Sequence, residues 1–355
     1  MKKTVVVGMS GGVDSSVAAY ILKEQGYSVL GLFMKNWQED DESCSAEADY
    51  ADVAKVCSVL DIPYYTVNYS KEYKKQVFEY FLTQYKMGRT PNPDVLCNRE
   101  IKFGPFLRHA LELGADFIAT GHYAGVEEKD GLFYLKRAKD TNKDQTYFLN
   151  QLNQEQLCRV IFPLENIEKP KVREIAKKLK LSTAEKKDST GICFIGERPF
   201  KEFLKRYIPA KPGKILTTEK QEVGTHDGVM YYTIGQRKGL NIGGISGTSG
   251  RWFVIDKDVE NNILYVRQNE GAELFSKSLT AENFNFIPGL PKKAEFNCTG
   301  KFRYREPDKK VRVKIDGGKV EIEFEVKERA VTLGQYAVLY NGVCCLGGGE
   351  IVAKA

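Results

Sequence analysis

Apolar and polar positions in the first third of the chain alternate between two periods. Val5-Val6-Val7 is a continuous apolar run, the pattern of a parallel strand covered on both faces. Val13, Val17 and Ile21 then recur at i, i+4 and i+8 beside Ala18 and Leu22, which predicts one helical stripe, ended by Gly26. The pattern continues with a strand over 29–34, a helix over 47–60 and a strand over 63–67. A helix over 103–113 follows, then a strand over 117–120 that runs into Gly121 and His122. Strands alternating with helices predict an α/β fold built on a doubly wound parallel sheet. Ligands of such sheets bind outside the carboxyl ends of the strands, where residues 8–15, Met34 and Gly121 fall.

Residues from about 126 to 200 read as an elaboration of this domain. Asp130-Gly131 is a hairpin turn signal, and Pro170 opens an amphipathic helix with Val172, Ile175, Ala176 and Leu179 on one face. After Pro209 and Pro212 glycine becomes frequent and the strands shorten. From about Ser276 the period is two. Val311, Val313 and Ile315 alternate with basic residues, Asp316-Gly317-Gly318 turns, and Val320, Ile322, Phe324 and Val326 alternate with mostly acidic ones. Three units are expected: a nucleotide-binding domain over 1–208, a small β-rich domain over 209–275 and a C-terminal β-barrel over 276–355.

Composition narrows the classes. A chain of 355 residues with 42% hydrophobic and 28% charged residues is long enough for two or three ordinary domains. No apolar run approaches the ~20 residues that span a bilayer. The first strand begins at about Thr4, leaving no room for a leader, so a cytoplasmic protein without membrane contact is expected. Eight cysteines without C-x-x-C spacing, and only His109, His122 and His226, argue against a disulfide framework and a structural zinc site. The net charge of +6 permits nucleic-acid binding without requiring it. Residues 166–214 carry 14 Lys/Arg against 6 Asp/Glu, which suits either phosphate neutralisation or a solvated helix face.

Ser10-Gly11-Gly12-Val13-Asp14-Ser15 lies between a strand and a helix. It lacks the ending of a Walker A loop and the phosphate-reaching lysine that goes with it. Paired glycines let backbone N–H groups approach an anion, and the helix N-terminus adds positive potential. Ser10 and Ser15 offer hydroxyls, while Asp14 either holds Mg²⁺ or caps the helix. A plain glycine turn capped by Asp14 or Ser15 is the alternative. The motif resembles the pyrophosphate loop of the N-type ATP pyrophosphatases, which cleave ATP between the α and β phosphates and form an adenylated intermediate.

Two cysteines sit in unusual company. Cys97 follows Pro91, Pro93 and Asp94, in a stretch that proline is expected to keep out of helix until about Val95. Cys193 lies between Gly191 and Gly196, just after Lys186-Lys187-Asp188, where cations favour a thiolate. Sulfur transfer needs one thiol to carry the sulfur and a second to release it, and Asp94 is spaced to accept or relay a proton. The bland alternative, small buried hydrophobes, is the expectation for Cys57, Cys158, Cys298, Cys344 and Cys345. Cys44, in an acidic loop, reads as an exposed thiol.

With these segments the chain resembles the bacterial tRNA-specific 2-thiouridylases over essentially its whole length. The match runs through the glycine loop, Phe33-Met34-Lys35-Asn36-Trp37, residues 88–103, Ala119-Thr120-Gly121-His122-Tyr123 and Lys143-Asp144-Gln145. It continues through 187–196, 233–240 and Arg303-Tyr304-Arg305. The resemblance implies ATP binding by Gly8, Met9, Ser10, Gly11, Gly12, Val13, Asp14, Ser15, Met34 and Gly121. It implies contact with the target base by Asn92, Pro93 and Asp94. Cys97 becomes the nucleophile or resolving thiol, and Cys193 the persulfide carrier. Contact with tRNA falls to His122, Lys143, Asp144, Gln145, Arg303, Tyr304 and Gln335.

The implied reaction is ATP-dependent 2-thiolation of the wobble uridine in tRNAs for lysine, glutamate and glutamine, with Mg²⁺ accompanying ATP. The implied partners are the tRNA anticodon arm and a sulfur donor, either a cysteine desulfurase or a sulfur-relay protein. One rival mechanism puts an iron–sulfur cluster on Cys97 and Cys193. The rival functions are another adenylating ligase or amidotransferase of the same loop family, and an ATP-gated RNA-binding protein without catalysis.

Overall fold

The computed structural model describes residues 2–37, 45–188, 198–242 and 250–355. β1 (Thr4–Met9) is buried from Val5 onward and leads through the glycine loop into α1 (Val13–Glu24). β2 (Ser28–Lys35), α2 (Ser45–Leu60) and β3 (Tyr64–Asn68) follow. α3 (Ser70–Tyr73) continues through a π-turn over Lys74–Phe78 into α4 (Glu79–Lys86). α5 (Pro93–Cys97) runs through a second π-turn, Asn98–Lys102, towards α6 (Pro105–Glu112) and β4 (Phe117–Ala119). A hairpin, β5 (Ala124–Lys129) and β6 (Leu132–Arg137), precedes a 3₁₀ turn at Thr146–Leu149. α7 (Gln154–Leu157), β7 (Val160–Ile161), α8 (Lys169–Lys178) and α9 (Phe200–Lys205) complete the first unit.

The parallel sheet has the order β3-β2-β1-β4-β7. One face packs Val5, Val7 and Met9 against Val13, Val17 and Leu22 of α1, Val53 and Val56 of α2, and Val172 and Ala176 of α8. The other packs Val6, Leu32 and Ile118 against Phe106, Leu107 and Ala110 of α6. Covering of both faces is why the strands read as unbroken apolar runs, and the expected doubly wound α/β sheet is what the chain forms.

Helix begins earlier at Cys97 than the sequence suggested. Asn92 Oδ1 accepts the N–H groups of Asp94 at 3.2 Å and Val95 at 3.3 Å, so α5 starts at Pro93. A proline in the first turn loses no helical hydrogen bond, and its fixed φ suits the helix. Cys97 is therefore the last residue of a capped helix rather than a loop residue.

The central unit holds β8 (Gly213–Leu216), β9 (Glu222–His226), β10 (Trp252–Asp258) and β11 (Ile263–Gln268) in the order β10-β11-β8-β9. Beyond it lie β12 (Phe275–Phe286), β13 (Glu295–Lys301), β14 (Lys309–Asp316), β15 (Lys319–Arg329), β16 (Tyr336–Asn341) and β17 (Cys344–Lys354). Their order β12-β15-β14-β13-β16-β17 closes through a β12–β17 pairing into a six-stranded antiparallel barrel. The expected β14–β15 hairpin sets Arg312 opposite Glu323 and Lys314 opposite Glu321. The β5–β6 hairpin, expected as an elaboration of the first domain, joins the barrel sheet instead, with Leu135 opposite Cys345. Tyr336, Val338 and Tyr340 of β16 share one apolar cluster with Phe106 and Ile118.

Candidate active site

From β1 the chain moves to β2 and β3 on one side of the sheet and returns to β4 and β7 on the other. The crevice between the carboxyl ends of β1 and β4 is thus the topological switch point. The Gly8–Ser15 loop leaves β1 there, and Gly121 follows β4. The loops touch closely: a Cβ on Gly121 would lie 2.6 Å from the Ser15 nitrogen. Gly11 adopts φ +72°, and a Cβ on it would meet the Asp49 carbonyl oxygen at 2.6 Å. Met34 borders the crevice from β2, its methyl 3.7 Å from where a Cβ on Gly8 would be.

The loop hydroxyls are engaged internally. Ser10 N–H donates to Ser15 Oγ at 3.2 Å, and Ser15 and Ser16 hydroxyls donate to the Gly12 carbonyl at 3.1 and 2.8 Å. Gly12 is the N-cap of α1, and no side chain caps this terminus. The plain capped turn considered from sequence is therefore not what forms. An uncapped helix N-terminus behind a glycine loop is built to receive an anion.

Asp14 is committed elsewhere. Its carboxylate accepts the Tyr123 hydroxyl at 2.8 Å, and both oxygens meet Lys169 Nζ at 2.7 Å. Lys169 also reaches Asp188 at 2.9 Å, and Asp188 takes Arg173 at 2.7 Å and Lys143 at 2.6 Å. Lys143 and Lys169 hold Asp188 down at about 2 against the opposing effect of burial. A carboxylate saturated by an ammonium and a phenol does not fit the Mg²⁺ role considered for Asp14, and no step below passes through a protein-held Mg²⁺. Among the described residues, no group of three or more His, Cys, Asp or Glu side chains could hold a metal ion.

The second half of the site is carried by α5. Asp94 is half-buried, and burial pushes its carboxyl above the usual range while Lys102 opposes the shift. His122 is buried beyond β4, its Nδ1 2.7 Å from Thr120 Oγ1. Burial, helped by Lys102, drives its pKa well below the ordinary value, so the ring is neutral. Lys102 thus acts on both groups, opposing the shift of Asp94 and adding to that of His122. Cys97, 4% exposed, packs among Phe81, Leu96 and Ile101. Next to it Asn98 Nδ2 donates to the Phe148 carbonyl at 2.9 Å, tying α5 to the 3₁₀ turn.

The residues grouped by resemblance as tRNA contacts lie in two sorts of environment. Lys143, Tyr304 and Gln335 are half-buried, and Tyr304 sits on Phe148 with ring centroids 4.3 Å apart. Gln335 Nε2 donates to the Thr90 carbonyl at 2.7 Å, two residues before Asn92. Asp144 is buried, accepting the Thr146 hydroxyl and the Ala138 N–H. Gln145 pairs with the Tyr123 backbone through its own N–H and its Oε1. Arg303 Nη2 donates to the Ile234 and Ala330 carbonyls and to Thr332 Oγ1, bridging the barrel to the central unit.

Cys193 and Cys44 lie outside the described residues. Cys57 and Cys345 are buried as the bland alternative expects, whereas Cys158, Cys298 and Cys344 are only partly buried; burial raises Cys57 to about 11 and both Cys298 and Cys345 to about 12, and lifts Cys344. Cys158 donates to the Glu155 carbonyl at 3.2 Å. Sequence reasoning missed Lys102, Tyr123, Lys169 and Asp188. Lys102, Tyr123 and Asp188 stand inside recognised motifs, whereas Lys169 carries no local signal.

The fold and crevice define a nucleotide-binding α/β enzyme domain followed by two β modules. Residues 3–197 match the family model described as a tRNA methyl transferase HUP domain, 201–268 the tRNA methyl transferase PRC-barrel domain, and 276–351 an aminomethyltransferase β-barrel domain. The tRNA-specific 2-thiouridylase MnmA of Alkaliphilus oremlandii is 57% identical over 351 residues, covering 98% of this chain and 96% of that one. The proteins of the same name from Streptococcus mutans and Geobacillus thermodenitrificans are 58% and 59% identical, over 99% and 98% of this chain and 95% and 94% of theirs. The chain belongs to the tRNA-specific 2-thiouridylase family. Among the described residues, no helix is long and apolar enough to cross a membrane.

Proposed function

We propose that this protein uses ATP to replace the 2-oxygen of the wobble uridine by sulfur in tRNAs for lysine, glutamate and glutamine. Family membership over the full length carries the reading, and the uncapped helix behind the switch-point loop supports the ATP step. A uracil carbonyl is a poor electrophile and its oxygen a poor leaving group. Transfer of AMP to that oxygen, with release of pyrophosphate into the glycine loop, makes it a good one.

A persulfide on Cys193 then attacks the 2-carbon through its terminal sulfur, and AMP departs with the oxygen. The thiolate of Cys97 attacks the Cys193 sulfur, breaking the sulfur–sulfur bond and leaving the sulfur on the base. A Cys97–Cys193 disulfide results, which an external dithiol reduces by two electrons. Asp94, whose raised pKa keeps a proton within reach, is the acid–base group. Asn92 and Pro93 border the base, which leaves the anticodon stack to reach them. Lys143, Tyr304 and Gln335 contact the RNA, a role that their partial exposure supports. The buried His122 and Asp144, with Gln145 and Arg303, shape the surface that does so. The sulfur reaches Cys193 from a cysteine desulfurase or a relay protein.

Peptide mass spectrometry with iron analysis of the same samples tests the chemistry. Cys193→Ser should lose sulfur loading yet still give a pyrophosphate burst with tRNA and ATP. Cys97→Ser should load sulfur on Cys193 but fail to turn over. Iron lost together from both variants would replace the persulfide by a cluster, and a fully active Cys193→Ser protein would remove both mechanisms. Absence of any pyrophosphate release with tRNA present would favour a binding protein over an enzyme.

A further inference from the structure

Thr90 lies between α4 and the base-bordering residues Asn92 and Pro93, and each of its polar groups is held from outside its own unit. Its N–H donates to the Leu333 carbonyl at 2.9 Å, and its carbonyl accepts Gln335 Nε2 at 2.7 Å, both from the turn before β16 of the barrel. Its hydroxyl pairs with the Thr233 hydroxyl of the central unit at 3.3 Å. Thr233 is fixed in turn. Its N–H donates to Gln236 Oε1 at 3.0 Å, and the next carbonyl, that of Ile234, accepts Arg303 of the barrel at 3.2 Å. The packing leaves little slack: a Cβ on Gly334, at φ +88°, would lie 3.2 Å from Arg89 Cβ and from the nitrogen and carbonyl carbon of Thr90. On the opposite flank a Cβ on Gly88, at φ +74°, would meet Val259 Cγ2 of the central unit at 2.5 Å. All three units meet at this one residue.

The chain beyond Thr90 is stiff. Pro91 and Pro93 have a fixed φ, and Pro91, Asn92 and Pro93 are all buried. Asn92 Oδ1 caps α5, which carries Asp94 in its first turn and Cys97 at its end. A displacement of Thr90 is therefore passed on to both groups instead of being absorbed by a flexible loop. We infer that Thr90 is a positioning residue for thiolation: bonded to the barrel and to the central unit, it sets where α5 presents Asp94 and Cys97 to the base. The two β units then contribute to the chemical step itself, besides any grip on RNA. The inference rests on the functional reading above and adds to it a residue that touches neither ATP nor the base.

Steady-state thiolation by the full-length protein tests it, with ATP, an unmodified lysine tRNA, and a cysteine desulfurase with cysteine and a dithiol as the sulfur source. Thr90→Val removes the hydroxyl at nearly constant shape and leaves the two backbone bonds. It should lower kcat by about tenfold, the effect of shifting reacting groups by about half an ångström. KM for tRNA, KM for ATP and the melting temperature should stay as in wild type. Thr90→Ser, which keeps the hydroxyl, should restore most of kcat. Thr233→Val should reproduce the loss, and the double variant should be no slower than either single one, because both remove the same pair. Losses that multiply in the double variant would overturn the inference, as would a Thr90→Ser protein as slow as Thr90→Val. A rise in KM for tRNA with kcat unchanged would make Thr90 an RNA contact and overturn it too. Should Thr90→Val fail to fold by thermal melting, Thr233→Val breaks the pair from the other side, with the same kcat loss expected and an unchanged kcat refuting the role. Wild-type protein that adds no sulfur to the tRNA would sink the functional reading and this inference with it. Wild-type thiolation that Thr90→Val leaves untouched sinks only the role of Thr90.

Discussion

Replacing Gly121 by alanine tests whether the crevice depends on the close approach of its two loops. Gly121 is not in a left-handed conformation, so alanine is acceptable to the backbone and only space is at issue. The new methyl would lie 2.6 Å from Ser15 N, 2.8 Å from the Asp14 carbonyl carbon and 3.0 Å from Asp14 Cβ. Ordinary contact begins at 3.4 Å, so the loops must separate by about 0.8 Å. The opposing atoms are mostly backbone in the first turn of α1 and cannot swing aside as a side chain would. Overpacking of this kind costs about 1–3 kcal/mol. The larger effect is geometric, since a misplacement of about 1 Å at a reacting centre costs on the order of a hundredfold in rate. Pyrophosphate release in the presence of tRNA should fall by about that factor. Melting should drop by only about 2–4 °C for each kcal/mol lost. Gly114→Ala is the control: with φ +85° and nothing within 4 Å of the new Cβ, it carries left-handed strain alone and should keep full activity. A folded Gly121→Ala protein with the wild-type rate would refute the reasoning, as would an equal loss of rate in the control.

Arg303→Ala should lower melting as well as tRNA affinity. It removes three acceptor contacts that join the barrel to the central unit, worth about 2 kcal/mol together at a third-exposed site; unchanged melting in the variant would show that the bridge holds nothing. Reversing the exposed Lys177, Lys178 and Lys180 together should weaken tRNA binding and flatten its dependence on salt, because fewer counterions are released. An unchanged slope would return α8 to an ordinary solvated face. Asp94→Asn should abolish the acid limb of the thiolation pH profile, which in wild type should lie above the usual carboxylate range. Persistence of that limb in the variant would assign it to another group.

The parallel sheet was legible because its strands are buried on both faces, which leaves apolar runs that nothing else in a chain of this composition produces. The β14–β15 hairpin was legible for the opposite reason, its clean alternation with opposed charges outside. What escaped was every feature that depends on the meeting of distant segments. The capped start of α5 is written in Asn92 and Pro93, but a reading dominated by proline as a breaker places helix two residues late. The β5–β6 hairpin shows its Asp130-Gly131 turn plainly. Its allegiance to the barrel is decided by pairing with Cys344 and Cys345, some 200 residues on. Lys169 looks like one more basic residue of an amphipathic helix until the fold sets it on Asp14. Gly121 reads as a strand-end glycine, and only the packing of α1 against it explains why no Cβ fits.

Two aspartates beside this crevice are driven in opposite directions, and that contrast assigns their work. Burial raises Asp94, with only Lys102 opposing, so the folded state binds its proton more tightly than the unfolded chain does. Its contribution to stability is complete below the unfolded pKa and is lost as pH rises through the folded value. Asp188 is held at about 2 by Lys143 and Lys169 against the opposing effect of burial, and its contribution is present above the unfolded value and lost only as pH falls towards 2. A carboxyl that is reluctant to lose its proton suits proton transfer to a base or its leaving oxygen. One fixed as an anion at every working pH suits the holding of cations. Asp94→Asn should therefore leave the fold as stable as before or more so at neutral pH while slowing thiolation. Asp188→Asn should lose stability at neutral pH and approach the wild type as acid titrates the wild-type carboxylate. The opposite pattern in paired melting curves between pH 3 and pH 8 would mean that the acid–base role assigned to Asp94 belongs elsewhere.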